Sequence, residues 1–485
     1  MMKDENIDLI KNKVFNGMII LIGRDFGMKI LAIAGQLILV RLIAPQYFGF
    51  FVILTFVVNL SELFSDIGLC QAIIREKRLT TKIISTIFYL KLLLSMFAYF
   101  LLLLSFPIIK LIYSQLNDEH FIMFVVFGII IFIKSTKSIL FALLDRELNF
   151  KVVSKIDVIG ILIYYIVAIF FALQHLYIWN FIFAVILKEA AELILAFHYR
   201  PFIPKLEFSM KMVKKMIKYG SYLQFGSFVY LFGTSVIPIV GYQLNTYNLG
   251  LLKWSSNVAS LSNSIFENYG RVAYAGISKI QTDMIKITSA INKSVSLLNI
   301  FAFIFVIVGI GFSKEGISLL LTERWLPATP ALYWFLASTI FSGGIIASGH
   351  ALLALGKSKQ VVLLSMVNLI LEIFVSFILL KLIGFVGIAI GVFFSSVTLI
   401  LLYYSYCRHI GLQLTIKEQF ISKVPIIMIT ILIVVVLNLL FASFTAPTLI
   451  LKIIITIFSY LVLLYFFAKQ DYLEIRDILK LLRKV

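Results

Sequence analysis

Charge is scarce in this chain. Only 14% of its 485 residues are charged, while 61% are hydrophobic; a soluble globular domain is nearer a quarter charged and half apolar. Acids are scarcer than bases, 24 Asp and Glu against 43 Lys and Arg, for a formal net charge of +19. The two cysteines, Cys70 and Cys407, indicate neither a disulfide framework nor a metal site. The five histidines are scattered, without metal-ligand spacing. "LGKSK" (355–359) ends like a phosphate-binding loop, but Ala351 stands where the first glycine is required, and an apolar helix precedes it instead of a strand. No other nucleotide-binding signature occurs, so hydrolysis within the chain is not expected. The reading is of a non-enzyme without metal or cofactor.

What is abundant is long apolar sequence. Windows of about 20 residues almost free of charge recur along the whole length, enough to cross a hydrocarbon core. The expected fold is all-α: a polytopic membrane protein of about 14 transmembrane helices, the first at 16–41 and the last at 449–468. In that setting the basic excess points to loops beside the membrane, not to nucleic acid. With the N-terminus inside, clusters such as Arg75, Lys77, Arg78 and Lys82 fall in cytoplasmic segments. Only Arg41, Lys110, Lys314, Arg324, Lys381 and Lys452 fall outside. The positive-inside rule then places both termini in the cytoplasm, as expected of a multi-pass protein of the bacterial inner membrane. "MMKDENIDLIKNKVFNG" is polar, with no small-residue cleavage site, and does not read as a cleavable signal peptide.

Residues 198–218, basic and carrying two prolines, separate six helices from the rest. The expected organisation is an N-terminal lobe (1–197), this cytoplasmic linker, a second six-helix lobe (219–407), and two further helices with a basic tail (408–485). Sliding the chain by 201 residues lays "FGFF" (48–51) on "LGLL" (249–252). The same shift brings Thr55, Asn59, Glu62 and Asp66 onto Ser256, Ser260, Asn263 and Glu267. Six helices per copy preserve orientation, so the repeat implies a pseudo-two-fold axis along the membrane normal, with substrate bound between the lobes.

An ionised group in hydrocarbon is unfavourable by a few kcal/mol or more, so each intramembrane charge is a functional candidate. Lys253, Asn257, Ser260, Ser264, Asn268 and Arg271 recur at steps of three and four on one face of helix 8. Helix 2 repeats the pattern in Thr55, Asn59, Glu62 and Asp66; helix 1 offers Arg24, Asp25, Lys29 and Gln36. Helix 4 adds Lys134, Lys137 and Ser138, and helix 11 adds Ser365, Asn368, Glu372 and Ser376. These stripes imply a polar cavity whose basic excess suits an anionic group. The candidate substrate-binding residues are Arg24, Lys29, Lys134, Lys253, Asn257, Ser260, Ser264 and Arg271; the candidate ion-coupling acids are Glu62, Asp66 and Glu372. Simpler accounts stand beside some of these. Lys253 and Arg271 lie near helix ends and can snorkel, and an internally neutralised Asp25–Lys29 pair is the lesser alternative to a functional one. Lys91, Lys188, Glu189 and Glu192 read as structural pairing or snorkelling, and "GFVGIAIG" (384–391) as close helix packing.

"LVRLIAPQYFGFF" (39–51), followed by "LSELFSDIGLCQAIIREKRLT" (60–80), resembles the opening helix pair of Wzx-type bacterial polysaccharide exporters of the multidrug/oligosaccharidyl-lipid/polysaccharide superfamily. "GRVAYAGISKIQTD" (270–283), "LLLTERWLPATPAL" (319–332) and "ALLALGKSK" (351–359) look like further landmarks in the same order, although Ala275 replaces a usual proline. The resemblance implies a two-lobed flippase that carries a polyprenyl-diphosphate-linked oligosaccharide to the outer leaflet by alternating access. Its implied partners are that lipid-linked substrate, membrane lipids and the polysaccharide polymerase machinery. Two alternatives stay open: an ion-coupled drug or cation antiporter of the same superfamily, in which acids should dominate the cavity, and a polymerase or ligase, which the short outer loops disfavour.

Overall fold

A computed structural model describes residues 23–25, 27–66, 68–76, 79–278, 283–441 and 445–468, without the side chains at 72, 75, 211, 215–225, 264–265, 268, 271–272, 275–276 and 418. The N-terminal stretch read as lacking a cleavage site lies outside the described residues.

The described residues form helices, turns and short connections, with no strand among them. The first unit comprises residues 1–238 and 242–250. It contains α1 (27–42), α2 (Pro45–Glu62), α3 (Leu69–Arg75), α4 (Thr81–Ile112), α5 (Phe121–Gly128), α6 (Ile130–Arg146), α7 (Phe150–Leu173), α8 (Trp179–Tyr199) and α9 (Met210–Thr234). The short α10 (Val236–Val240) leads to α11 (Thr246–Ile277), whose first residues still belong to this unit. The second unit holds the rest of α11, then α12 (Met284–Gly311), α13 (Ser313–Leu320), α14 (Thr329–Thr339), α15 (Ser342–Ala354) and α16 (Ser358–Ile383). It ends with α17 (Val386–His409), α18 (Ile416–Gln419), α19 (Val424–Leu440) and α20 (Ala446–Phe467).

Local sequence explains the punctuation. Pro45 occupies the first turn of α2, where its missing N–H is not needed. Thr80 caps α4 by accepting from the Ile83 amide, and Asp283 caps α12 by accepting from the Lys286 amide. Gly384 closes α16 at φ 73°, a left-handed conformation that glycine adopts without penalty.

Nine of the described helical stretches are long and apolar enough to cross a membrane. They are Thr81–Ile112, Asp118–Arg146, Phe150–Leu173, Met284–Gly311, Glu323–Ala354, Ser358–Ile383, Val386–His409, Ile421–Leu440 and Ala446–Phe467. Of the 14 expected spans, the remaining five fall on α1, whose beginning is not described, and on α2, α8, α9 and α11, which carry polar and charged residues. Large apolar side chains stay exposed along the outer face of α16, at Leu363, Val367, Ile370, Phe374, Ile378 and Leu382, as on a helix that meets lipid.

The break between units falls at 238–251, one helix beyond the 198–218 linker read from the sequence. The physical reason is packing: α9 lies on α3 and α4, and Phe228 sets its ring edge-on to Phe64. Residues 242–250 are held to the same unit by Gln115, whose amide donates to the Leu244 carbonyl and accepts from the Thr246 amide. Tyr113 adds a hydrogen bond to the Pro238 carbonyl at 2.8 Å. Close helix approach does the rest. A Cβ on Gly49 would lie 1.8 Å from the Thr246 carbonyl oxygen, and one on Gly250 would lie 1.8 Å from the Pro45 carbonyl oxygen. In the second unit Gly387 and Gly391 bring α17 against Leu379 and Ser376 of α16, the tight packing that small residues permit in membranes.

Candidate functional site

In the first unit the charged stripes fold into ion pairs. Arg24, just ahead of α1, places its guanidinium 2.8 Å from Asp25 and 2.6 Å from Asp157 on α7. Asp25 is thus taken by Arg24, and Lys29 has no ion-pair partner among the described residues. On α6, Lys134 meets Glu62 of α2 at 2.8 Å. One turn further, Lys137 donates to both Glu189 and Glu192 of α8, and Lys188 lies 3.3 and 3.5 Å from the same two carboxylates. Gly160 makes room for this cluster, since a Cβ there would lie 2.0 Å from Glu192 Oε1. Asp66 is 2.8 Å from the buried Lys91 ammonium, which also lies 3.4 Å from Cys70 Sγ. Each pair neutralises charges that neither hydrocarbon nor a helix interface would accept singly.

Two cavities open on this framework. One, of about 500 Å³, is bordered by Met28, Asp157, Tyr164, Tyr165, Lys188 and Glu192. The other, of about 490 Å³, lies between α2 and α9 and has Asn59, Glu62, Gln71 and Tyr230 on its walls.

In the second unit α11 carries Lys253, Asn257 and Ser260 in successive turns. Lys253 and Asn257 are half-buried, Ser260 is exposed, and the Ser260 hydroxyl donates back to the Asn257 carbonyl at 2.7 Å. Lys253 has no acid partner among the described residues. The side chains of Ser264 and Arg271, both expected at the site, lie outside the described residues. On α16, Glu372 is 3.4 Å from the Asn368 amide and, among the described residues, has no cation beside it. Among the described residues no three His, Cys, Asp or Glu side chains gather as metal ligands would.

Residues 38–330 match the model of a family described as "Polysaccharide biosynthesis protein". The chain belongs to that family. A family relative from Klebsiella pneumoniae, described as an uncharacterized membrane protein in the cps region, is 24% identical over 373 residues, covering 75% of each chain. Among solved structures, the fold is similar to the lipid II flippase MurJ in an inward closed conformation, with a TM-score of 0.78 at 15% identity, covering 92% of this chain and 98% of that one. It is also similar to an inward-facing multidrug resistance MATE transporter of the MOP superfamily, with a TM-score of 0.60 at 12% identity, covering 79% and 94%. This member of the polysaccharide biosynthesis family is therefore a multi-pass membrane protein with the fold of flippases and multidrug transporters.

Its pairing pattern sharpens the list of candidate residues. Arg24 and Lys134 are each neutralised inside the first unit, as are Glu62 and Asp66. Lys29 and Lys253 keep their charge uncompensated by any described acid. Sequence reading missed Asp157, although a lone acid in the apolar α7 is itself the signal of a partner or a function. It also counted Lys452 among the outer charges. Its partner is a structural finding: Lys452 is fully buried on α20, with Nζ 2.5 Å from Oε1 of the buried Glu315 on α13.

Proposed function

We propose that this protein is a flippase that moves a polyprenyl-diphosphate-linked oligosaccharide from the cytoplasmic to the outer leaflet of the inner membrane, for surface polysaccharide synthesis. The observation that carries the reading is that Lys29 on α1 of the first unit and Lys253 on α11 of the second have no ion-pair partner among the described residues, in a polysaccharide-biosynthesis protein with a flippase-like fold. A diphosphate entering a low-dielectric slot needs cations that are not already neutralised, and an ammonium on a flexible stem suits a moving anion. Glu372, lacking a cation partner among the described residues, serves in this reading as the acid that couples transport to an ion. The protein makes and breaks no covalent bond, keeps both termini in the cytoplasm, and delivers its cargo to the polymerase machinery outside.

The test is reconstitution. Proteoliposomes containing the purified chain should expose lipid-linked oligosaccharide, loaded on one leaflet, to an impermeant glycosidase on the other side. Lys29→Gln and Lys253→Gln should slow that exposure at unchanged protein abundance. If wild-type vesicles behave as protein-free ones while a known flippase works in the same lipid, the reading fails.

A further inference from the structure

We propose that the cavity between α2 and α9 is a subsite for the neutral sugar portion of the cargo; the proposal rests on the flippase reading above. Its volume, about 490 Å³, is in the range of small-molecule pockets. Its polar groups are of a particular kind. Asn59 and Gln71 each offer a carboxamide, able to donate and accept on adjacent atoms. Neither side chain makes a hydrogen bond within the protein among the described residues. Tyr230 extends an aromatic ring that is 74% exposed, with its hydroxyl at the tip. Glu62 supplies carboxylate oxygens, and Lys134 at 2.8 Å cancels their charge.

That combination selects among ligands. A diphosphate would find no cation among the described residues that line these walls and would face a carboxylate. A cation would compete with an ammonium already in place on Glu62. A purely apolar molecule would bury two amides and a carboxylate without replacing their hydrogen bonds with water, a penalty for each unsatisfied group. A pyranose satisfies all of them, with adjacent hydroxyls meeting a carboxamide or carboxylate and its C–H face lying on the Tyr230 ring. Gly226 completes the fit, because a Cβ there would meet nothing within 4 Å and so opens onto free space at the cavity wall.

The same glycine provides the test. Gly226→Leu should fill the cavity without a clash, and leucine is the better helix former. Binding is measured on the purified full chain in detergent with two probes: the lipid-linked oligosaccharide that accumulates in source cells lacking this protein, and undecaprenyl diphosphate. Wild type should bind the sugar-bearing lipid more tightly. Gly226→Leu should weaken that binding about tenfold, the loss of one to two net hydrogen bonds, and leave undecaprenyl diphosphate unchanged. The Asn59→Ala/Tyr230→Ala double variant should do the same, and it decides the matter if Gly226→Leu does not fold. Equal wild-type affinity for the two lipids, or variants that bind the sugar-bearing lipid as wild type does, overturns the subsite and leaves the flippase reading standing. Failure of wild type to bind either lipid overturns the flippase reading and the subsite with it.

Discussion

Replacing Lys452 by methionine should loosen α20 from the second unit. Lys452 Nζ lies 2.5 Å from Glu315 Oε1 and 3.3 Å from Asn438 Oδ1, so one ammonium joins α13, α19 and α20. The other carboxylate oxygen, Glu315 Oε2, has no hydrogen-bond partner among the described residues. At an effective dielectric near 20, charges 2.5 Å apart attract by about 7 kcal/mol, which desolvation of the two ions largely offsets. Removing only the lysine forfeits the attraction and leaves the carboxylate buried without its donor, a loss of about 3–5 kcal/mol. For a unit of roughly 240 residues, at about 2–4 °C per kcal/mol, the purified variant should melt about 6–20 °C below wild type by intrinsic fluorescence. The Lys452→Met/Glu315→Leu double variant removes both charges and should recover most of that loss. A single variant that melts with wild type, or a double variant no better than the single, would refute the reasoning.

Other outcomes follow from the same pairing logic. Asp157→Asn should remove one of the two carboxylates that Arg24 pairs with among the described residues and lower protein abundance in membranes, while Arg24→Gln/Asp157→Asn should restore part of it, as read by quantitative immunoblot. Gly160→Leu should displace Glu192 from Lys137 and destabilise the first unit by more than about 2 kcal/mol, seen as a lowered melting temperature. Lys253→Arg should retain part of the transport that Lys253→Gln loses, because charge outweighs fork geometry for a mobile anion; equal loss in both would point to packing instead.

The parts of this molecule legible in sequence are those governed by periodicity. Thr55, Asn59 and Glu62 on α2, the close packing of 384–391 and the apolar spans all follow intervals that a helix converts directly into a face, whereas Asp66, expected on the same stripe, falls beyond the end of α2 at Glu62. What sequence could not assign is partnership. Lys452 and Glu315 are 137 residues apart, and Arg24 and Asp157 are 133 apart; no spacing rule connects them, so Lys452 read as an outer charge and Arg24 looked available for substrate. Arg24 and Lys134 were therefore counted as free positive charge, whereas the fold neutralises both. The neighbours of α9 were illegible for a related reason. Its sequence marks a helix after a basic, proline-bearing connection, but only packing on α3 and α4 reveals which unit it joins.

The reciprocal approach of Gly49 and Gly250 has a consequence for what this crossing tolerates. The first turn of α2 presses on Thr246–Gly250, and each glycine would strike the other segment's backbone if it gained a side chain. A substitution at either position is thus judged by both segments at once. Enlarging one side cannot be relieved by shrinking the other, because both already carry the smallest residue, so the two positions are constrained together although 201 residues of chain separate them.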